Sequence, residues 1–347
     1  MFDFRSDTVT RPTPEMMAAI AGAEVGDSAR GDDPTHNRLE EVAAELAGKQ
    51  AAMFLPSGTM GNLAALLTHL RPGDEVIVED RTHIYNSEVG GISAVAGAVP
   101  RTIRGVNGVL QPEDVTAAIK TGTVQSAAPT RLIVLENTLN AAGGTVFPQE
   151  TAAAIRQTAD AAGIAVHLDG ARLFNAAAYL KTSVADLCRH ADSVMFALSK
   201  GLGAPMGSIL AGDADFIATA RKKARMLGGG MRQTGMMAAA GLEALRDPMP
   251  RLERDHRMAR MLGDGLAKLD GSLVRDPVQT NIVNCHVDRF APDAETFIQS
   301  LKHRKVLANF ARAKVRFVTH GHIDEAAVNA CLSAVERTLT EMRDHAK

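Results

Sequence analysis

Five short apolar runs in this chain each empty into polar or ionisable residues, and that recurrence restricts the fold more than any other property of the sequence. Residues 51–55 lead to Ser57-Gly58-Thr59, 75–78 to His83, and 131–135 to Glu136-Asn137. Residues 164–168 end in Asp169-Gly170-Ala171-Arg172, and 194–198 in Ser199-Lys200. A strand that is apolar throughout is buried on both faces. Stretches with helical spacing separate these runs, over 59–70, 112–120 and 148–162. Such alternation predicts an α/β fold, a mostly parallel sheet covered by helices on both sides. Further strands are expected at 94–99, 101–103 and 208–211, and a basic-rich helix at 213–226. Ligands of open α/β sheets bind beyond the carboxyl ends of the strands, so five polar groups on one rim predict a site.

The pattern changes after Gly230. Helices are expected in succession at 234–245 and 250–269, the second with Leu252, Met258, Met261, Leu262 and Leu266 facing inward. Strands at 281–287, 306–309 and 315–319 then mix with helices at 293–303 and 323–342. Three segments are therefore expected: an N-terminal arm 1–30, a large domain 31–247 and a smaller C-terminal α/β domain 248–347. The arm clusters Ser6, Asp7, Thr8 and Thr10, with one short helix after Thr13-Pro14. Polar arms fray unless an active site or a neighbouring subunit holds them.

Several function classes recede. Across 347 residues the formal net charge is −2, which argues for neither a nucleic-acid nor a membrane-surface partner. No apolar run approaches the roughly 18–20 residues of a membrane helix. The first residues carry no basic-then-apolar leader pattern, so a cytoplasmic protein is expected. Cys188, Cys285 and Cys331 are isolated and odd in number, which predicts reduced, packed thiols. No metal site is expected: His320-Gly321-His322 reads as a loop, without carboxylates at ligand spacing.

The rim residues suit one kind of ligand. Lys200 follows a buried strand and precedes Gly201, Gly203 and Gly207, which leave room around it. A lysine so placed can hold a phosphorylated aromatic cofactor as an imine. Ser57-Gly58-Thr59 opens a helix whose N–H groups suit a phosphate, although a plain helix cap would also explain Ser57. Asp169 ends an apolar strand and needs a partner there. A protonated pyridine nitrogen is one such partner; capping of the next turn, or pairing with Arg172, is another. His83 suits ring stacking or acid–base work, or simply starts a helix. Gly228-Gly-Gly-Met-Arg232 lets backbone approach a phosphate with Arg232 closing on it.

The motifs Phe4-Arg-Ser-Asp-Thr-Val-Thr-Arg-Pro-Thr13, Gly31-Asp-Asp, Pro56-Ser-Gly-Thr-Met-Gly-Asn62, His83 and Leu135-Glu-Asn-Thr138 carry a resemblance. So do His167-Leu-Asp-Gly-Ala-Arg172, Leu198-Ser-Lys-Gly-Leu-Gly203, Gly228-Gly-Gly-Met-Arg-Gln233 and Val315-Arg-Phe-Val-Thr-His320. Over nearly its whole length the chain resembles the L-threonine aldolases, pyridoxal-phosphate enzymes of fold type I. The resemblance implies that Lys200 carries the cofactor as an imine, that Asp169 pairs with its ring nitrogen and that His83 stacks on the ring near the substrate hydroxyl. It implies phosphate contacts from Ser57, Gly58, Thr59 and Arg232, with Arg225 reaching a neighbouring subunit's site. Arg172 would lie by the ring hydroxyl and the substrate carboxylate, Ser6 and Arg316 would complete carboxylate binding, and Tyr85 would line the substrate pocket. A homotetramer with shared sites is implied. So is cleavage of β-hydroxy-α-amino acids, threonine or allo-threonine among them, to glycine and an aldehyde. His83 is the candidate base for the hydroxyl proton and Glu88 a weaker one.

One departure stands out. Many family members place a histidine after Glu-Asn-Thr, where this chain has Leu139. An apolar side chain neither binds a hydroxyl nor relays a proton. Weaker discrimination at the β-carbon, or a roomier pocket suited to phenylserine, is expected. β-Elimination or racemisation on the same scaffold is the alternative reaction. A non-catalytic binding protein would require Lys200 to be idle.

Overall fold

The computed structural model describes residues 1–121, 126–311 and 313–345. The chain forms two compact units: Pro12–Asp247, and Met1–Arg11 together with Pro248–Lys347.

The larger unit is built on a sheet of seven strands, labelled in chain order β1 (Ala51–Leu55), β2 (Glu75–Glu79), β3 (Val99–Ile103), β4 (Thr130–Glu136), β5 (Ala165–Asp169), β6 (Ser193–Ala197) and β7 (Ser208–Gly212). Their spatial order is β1-β7-β6-β5-β4-β2-β3. The sheet is mostly parallel, as expected; β7 alone runs against its neighbours β6 and β1. The reason is the connection. A parallel pair needs a long crossover, whereas β6 and β7 are joined by a short turn. Leu198 N–H donates to Gly207 O at 2.9 Å, and Gly203 N–H to Lys200 O at 2.8 Å. Lys200 therefore sits in a hairpin turn at the carboxyl edge of β6.

Gly207 in that turn has φ +101, and a Cβ on it would lie 2.3 Å from Phe54. Backbone conformation and the Phe54 ring demand glycine there. The expectation that this glycine makes room for a ligand is corrected accordingly.

The helix Gly58–His69 lies across the sheet. Ala64 and Ala65 pack with Met53, Leu55 and Met195, while Leu66 packs with Val76, Val78 and Val134. Burial on both flanks fixes its N-terminus beside β1. The outer strand β3 carries Pro100 and Arg101 and is largely exposed, as suits a sheet edge. Residues 94–98, expected to be extended, instead follow a one-turn helix, Gly91–Ala94, entered through left-handed Gly90. Between β5 and β6 lie two helices that the pattern did not foreshadow, Leu173–Leu180 and Val184–Cys188.

In the smaller unit, an antiparallel sheet pairs Asn309–Ala311 with Lys314–Val318, and the latter with Ile282–Cys285. The first residues of the chain do not fray. Phe2–Asp3 pairs in parallel with Val306–Leu307, and Phe4 is fully buried, edge-on to Phe317 at 6.0 Å. Burying one phenylalanine contributes about 1.5–3 kcal/mol, enough to order a short segment. The stretch read as a single arm is thus divided, its first eleven residues belonging to this unit and the rest to the larger one. All three cysteines are free and buried. Burial pushes the Cys188 and Cys285 thiols up to about 12, so neither offers a thiolate near neutral pH. No helix among the described residues is long and apolar enough to cross a membrane.

Candidate active site

The carboxyl ends of β2, β4, β5 and β6 deliver the predicted groups to one edge of the sheet. Glu136 and Asp169 are paired neighbours on β4 and β5, and Asp169 is level with Met195 on β6. Asp169 is 1% exposed. Its Oδ2 accepts from Asn62 Nδ2 at 3.0 Å and its Oδ1 from Ala171 N–H at 3.2 Å. The turn-capping bond considered from sequence is therefore present, alongside a second donor from the helix Gly58–His69.

Glu88 is also buried. Its Oε1 accepts from Asn62 Nδ2 at 2.8 Å and meets His83 Nδ1 at 2.9 Å. Because Oε1 is an acceptor in both bonds, Nδ1 carries the proton and neutral His83 keeps its lone pair on Nε2. The Glu88 bond raises the basicity of His83, and burial and the Lys200 ammonium oppose this. Lys200 thus lies close enough for its charge to be felt at the imidazole. Burial, reinforced by the Asp169 charge, raises Glu88. Glu88 Oε2 is buried without a hydrogen-bond partner among the described residues. An orphaned acceptor in a polar cluster is a place for an incoming ligand group.

One ligand atom each from His83, Glu88 and Asp169 lie within 4.8 Å of one another. Such spacing would also accommodate a cation, which the sequence did not foreshadow. Here the Asn62 amide bridges the two carboxylates with its two N–H groups.

Glu136 holds the outer wall. Its two oxygens accept from the backbone N–H of His83 at 2.6 Å and of Asn140 at 3.0 Å. One carboxylate so anchors both His83 and the turn that follows Leu139. Burial, then the Asp169 charge, pushes Glu136 up to about 7. A carboxyl raised in the fold binds a proton that the unfolded chain releases near pH 4.5, so stability falls as pH rises from about 4.5 to 7. Glu136→Gln is expected to flatten that fall by about one proton's slope. Thermal melting of both proteins across pH 5 to 8 checks this, and parallel profiles would remove Glu136 as the titrating group.

Arg172 is buried and reaches Asn140 Oδ1 at 3.4 Å. Ser57 caps the helix Gly58–His69, its Oγ accepting from Met60 N–H at 3.3 Å. The first N–H groups of such a helix have no intrahelical acceptor, and Gly58 and Thr59 lie there. Gly58 packs against Met195, and a Cβ would stand 3.2 Å from that side chain. Tyr85, 40% exposed, lies on the one-turn helix His83–Asn86.

Leu139 is 2% exposed, its side chain pressed against Gly108. It is packed inside the fold, before the turn Asn140–Ala142, rather than exposed as an apolar surface.

Arg232 pairs with Asp27 at 3.6 Å. Arg225 lines a cavity of about 230 Å³ with Arg221, Lys222 and Met231, whose walls include neither Asp169 nor Lys200. Ser6 and Arg316 belong to the smaller unit. Ser6 caps the turn Asp7–Val9, and Arg316 donates to Arg5 O at 3.5 Å. His320 donates to Asp3 O at 2.8 Å, consistent with a loop role.

Sequence reasoning assigned no role to Asn62 and left Glu136 as a rim group without a task. The signal for Asn62 was its place four residues after Gly58, on the face of the helix that turns toward the sheet.

The family model for beta-eliminating lyases matches residues 3–288. Low-specificity L-threonine aldolase 1 of Arabidopsis thaliana is 41% identical over 348 residues, covering 99% of this chain and 97% of its own. The low specificity L-threonine aldolase of Escherichia coli K12 is 41% identical over 321 residues, covering 92% and 94%. Among solved structures, threonine aldolase of Leishmania major superposes with a TM-score of 0.82 at 21% identity, covering 98% of this chain and all of that one, which shows a shared fold. The chain belongs to the threonine aldolases of the beta-eliminating lyase family.

Proposed function

We propose that this chain is a pyridoxal-phosphate-dependent carbon–carbon lyase that cleaves β-hydroxy-α-amino acids, threonine and allo-threonine among them, to glycine and an aldehyde. The observation that carries the reading is the meeting of a hairpin-borne lysine with a buried carboxylate pair and a histidine at the carboxyl edge of the sheet. The relatives named as threonine aldolases support the substrate class.

The residues fit the cofactor. Lys200 offers the amine that would hold it covalently. Asp169 stands where a buried carboxylate can hold a proton on a pyridine nitrogen, a charge-assisted bond of about 1.5–3 kcal/mol. The helix N-terminus at Ser57, Gly58 and Thr59 receives the phosphate, with Arg232. When bound, pyridoxal phosphate supplies a ring that withdraws electrons from the substrate's α-carbon.

The other residues handle the substrate. His83 Nε2 accepts the β-hydroxyl proton as the Cα–Cβ bond breaks. Glu88, hydrogen-bonded to Nδ1, fixes that tautomer and stabilises the imidazolium that forms. Arg172, held beside Asn140, binds the substrate carboxylate. Tyr85 shapes the pocket, and Leu139 leads into the turn that carries Asn140. Arg225, on an exposed helix face, serves a neighbouring subunit's site in a homotetramer.

Incubation with threonine, allo-threonine and phenylserine tests the reading: glycine and the matching aldehyde are expected, whereas a keto acid and ammonia would mean β-elimination. Leu139 offers no hydrogen bond to a hydroxyl in either configuration. Threonine and allo-threonine are therefore expected to differ by less than about tenfold in kcat/KM, about 1.4 kcal/mol at most. A strong preference for threonine's own configuration would remove Leu139 from the explanation.

A further inference from the structure

Behind Asp169 runs a chain of buried polar groups that the proposed reaction does not use. Asn62, His167 and Ser193 are each fully buried. His167 Nε2 lies 3.1 Å from Asn62 Oδ1, and His167 Nδ1 lies 2.8 Å from Ser193 Oγ. Ser193 Oγ in turn lies 2.7 Å from His69 Nε2. The His69 ring lies tilted by 31° against Phe216 with centroids 4.6 Å apart.

Every proton in this chain can be placed by elimination. Asn62 Nδ2 faces Asp169 Oδ2 and Glu88 Oε1, so it donates to both and Oδ1 is the acceptor. His167 must then carry its proton on Nε2, which leaves a lone pair on Nδ1. The Ser193 hydroxyl supplies its single proton to Nδ1, so it accepts from His69 Nε2–H. Burial keeps both rings neutral by holding their basicity well down, His69 to about 4 and His167 to about 3. The result is one unbranched series of donors, His69 to Ser193 to His167 to Asn62, all pointing toward the carboxylates. Successive hydrogen bonds of one direction polarise each other.

We propose that Asn62 is a positioning residue that binds Asp169 and Glu88 into one unit, and that the His69–Ser193–His167 series fixes its amide in the donating orientation. Two buried carboxylates this close repel, and without donors between them the pair takes up a proton. With Asn62 in place, Asp169 Oδ2 and Glu88 Oε1 are both held by one amide, and Glu88 holds the His83 tautomer. The function of the pair rests on the cofactor reading above; the direction of the chain does not.

Two measurements test it. In histidine ¹⁵N NMR of the full-length protein, the His167 and His69 signals are expected to show the Nε2–H form. Ser193→Ala is expected to keep His167 in the Nε2–H form, because Asn62 Oδ1 remains its acceptor, and an Nδ1–H form of His167 in the unsubstituted protein overturns the proposal. In the cofactor-loaded protein, visible absorption is followed against pH. Asn62→Ala is expected to lower the midpoint by about one unit, a tenfold change in proton affinity, because the pair loses negative charge near Lys200. Ser193→Ala, which touches neither carboxylate, should shift it the same way by less. His83, Glu136 and Lys200 also face this cluster and are unchanged in both variants. Midpoints equal to the unsubstituted protein in two folded variants overturn the proposal. A protein that gains no visible absorption with pyridoxal phosphate overturns the cofactor reading instead, and the NMR result then still decides the direction of the chain.

Discussion

Replacing Lys200 with alanine is expected to lower turnover by at least about a thousandfold, roughly 4 kcal/mol at the transition state. It is also expected to abolish the visible absorption of the cofactor-loaded protein. The lysine amine would hold the cofactor as an imine, and an alanine methyl would not. Lys200→Arg is the sharper variant. It retains a cation near His83, and so retains the opposition to His83 protonation, but a guanidinium makes no such bond. Equal losses in the two variants would show that the amine, not the charge, does the chemistry. Loss in alanine alone, with arginine within tenfold of the unsubstituted enzyme, would reduce Lys200 to an electrostatic role and sink the covalent reading.

The hairpin that carries Lys200 also marks where the sequence stops being informative. The apolar runs at β1, β4, β5 and β6 were recognisable because a strand covered on both faces needs apolar residues throughout, and all but their margins are buried. Direction is not written in such a run. Ser208–Gly212 is as apolar as its parallel neighbours, and only the short turn through Gly203 and Gly207 makes it antiparallel. Leu173–Leu180 escaped notice for a related reason. Phe174, Ala176, Ala177 and Ala178 are all buried, so the helix has no polar face to reveal its period. Residues 94–98 were misread because small and β-branched residues suggest extension, whereas left-handed Gly90 starts a helical turn just before them.

The site divides in the same way. Asp169 and Lys200 were legible because each is the first ionisable group beyond a buried apolar run, and His83 because it lies in the loop that leaves another. Asn62 was not, since an asparagine inside a helix is locally unremarked and acquires its task only from Glu88 and Asp169, residues 26 and 107 positions away. The two phenylalanines of the first segment, Phe2 and Phe4, bracket Asp3 with the spacing of a strand, too briefly to be counted.

Asp169→Asn is expected to reduce kcat/KM by about a thousandfold, again near 4 kcal/mol, while leaving the fold intact. The side chain keeps its size and its remaining oxygen can still accept from Asn62, while the new amide group gives up the bond from Ala171 N–H. What disappears is the charge that a ring nitrogen would need in order to keep its proton, an effect of about 1–3 pKa units from one neighbouring charge. The same charge raises both Glu88 and Glu136. Removing it should therefore bring both carboxyls down toward their ordinary range. The fall in stability between about pH 4.5 and 7 that Glu136 contributes should shift to lower pH and shrink, so the variant should melt no lower than the unsubstituted protein at pH 8. The two readouts move in opposite directions, which separates a lost catalytic charge from a damaged structure. Reduced melting temperature together with reduced activity would indicate collapse of the Asn62 bridge. Activity within tenfold of the unsubstituted enzyme in a well-folded variant would show that Asp169 is a structural carboxylate, held by Asn62 and Ala171, and not the partner of a cofactor.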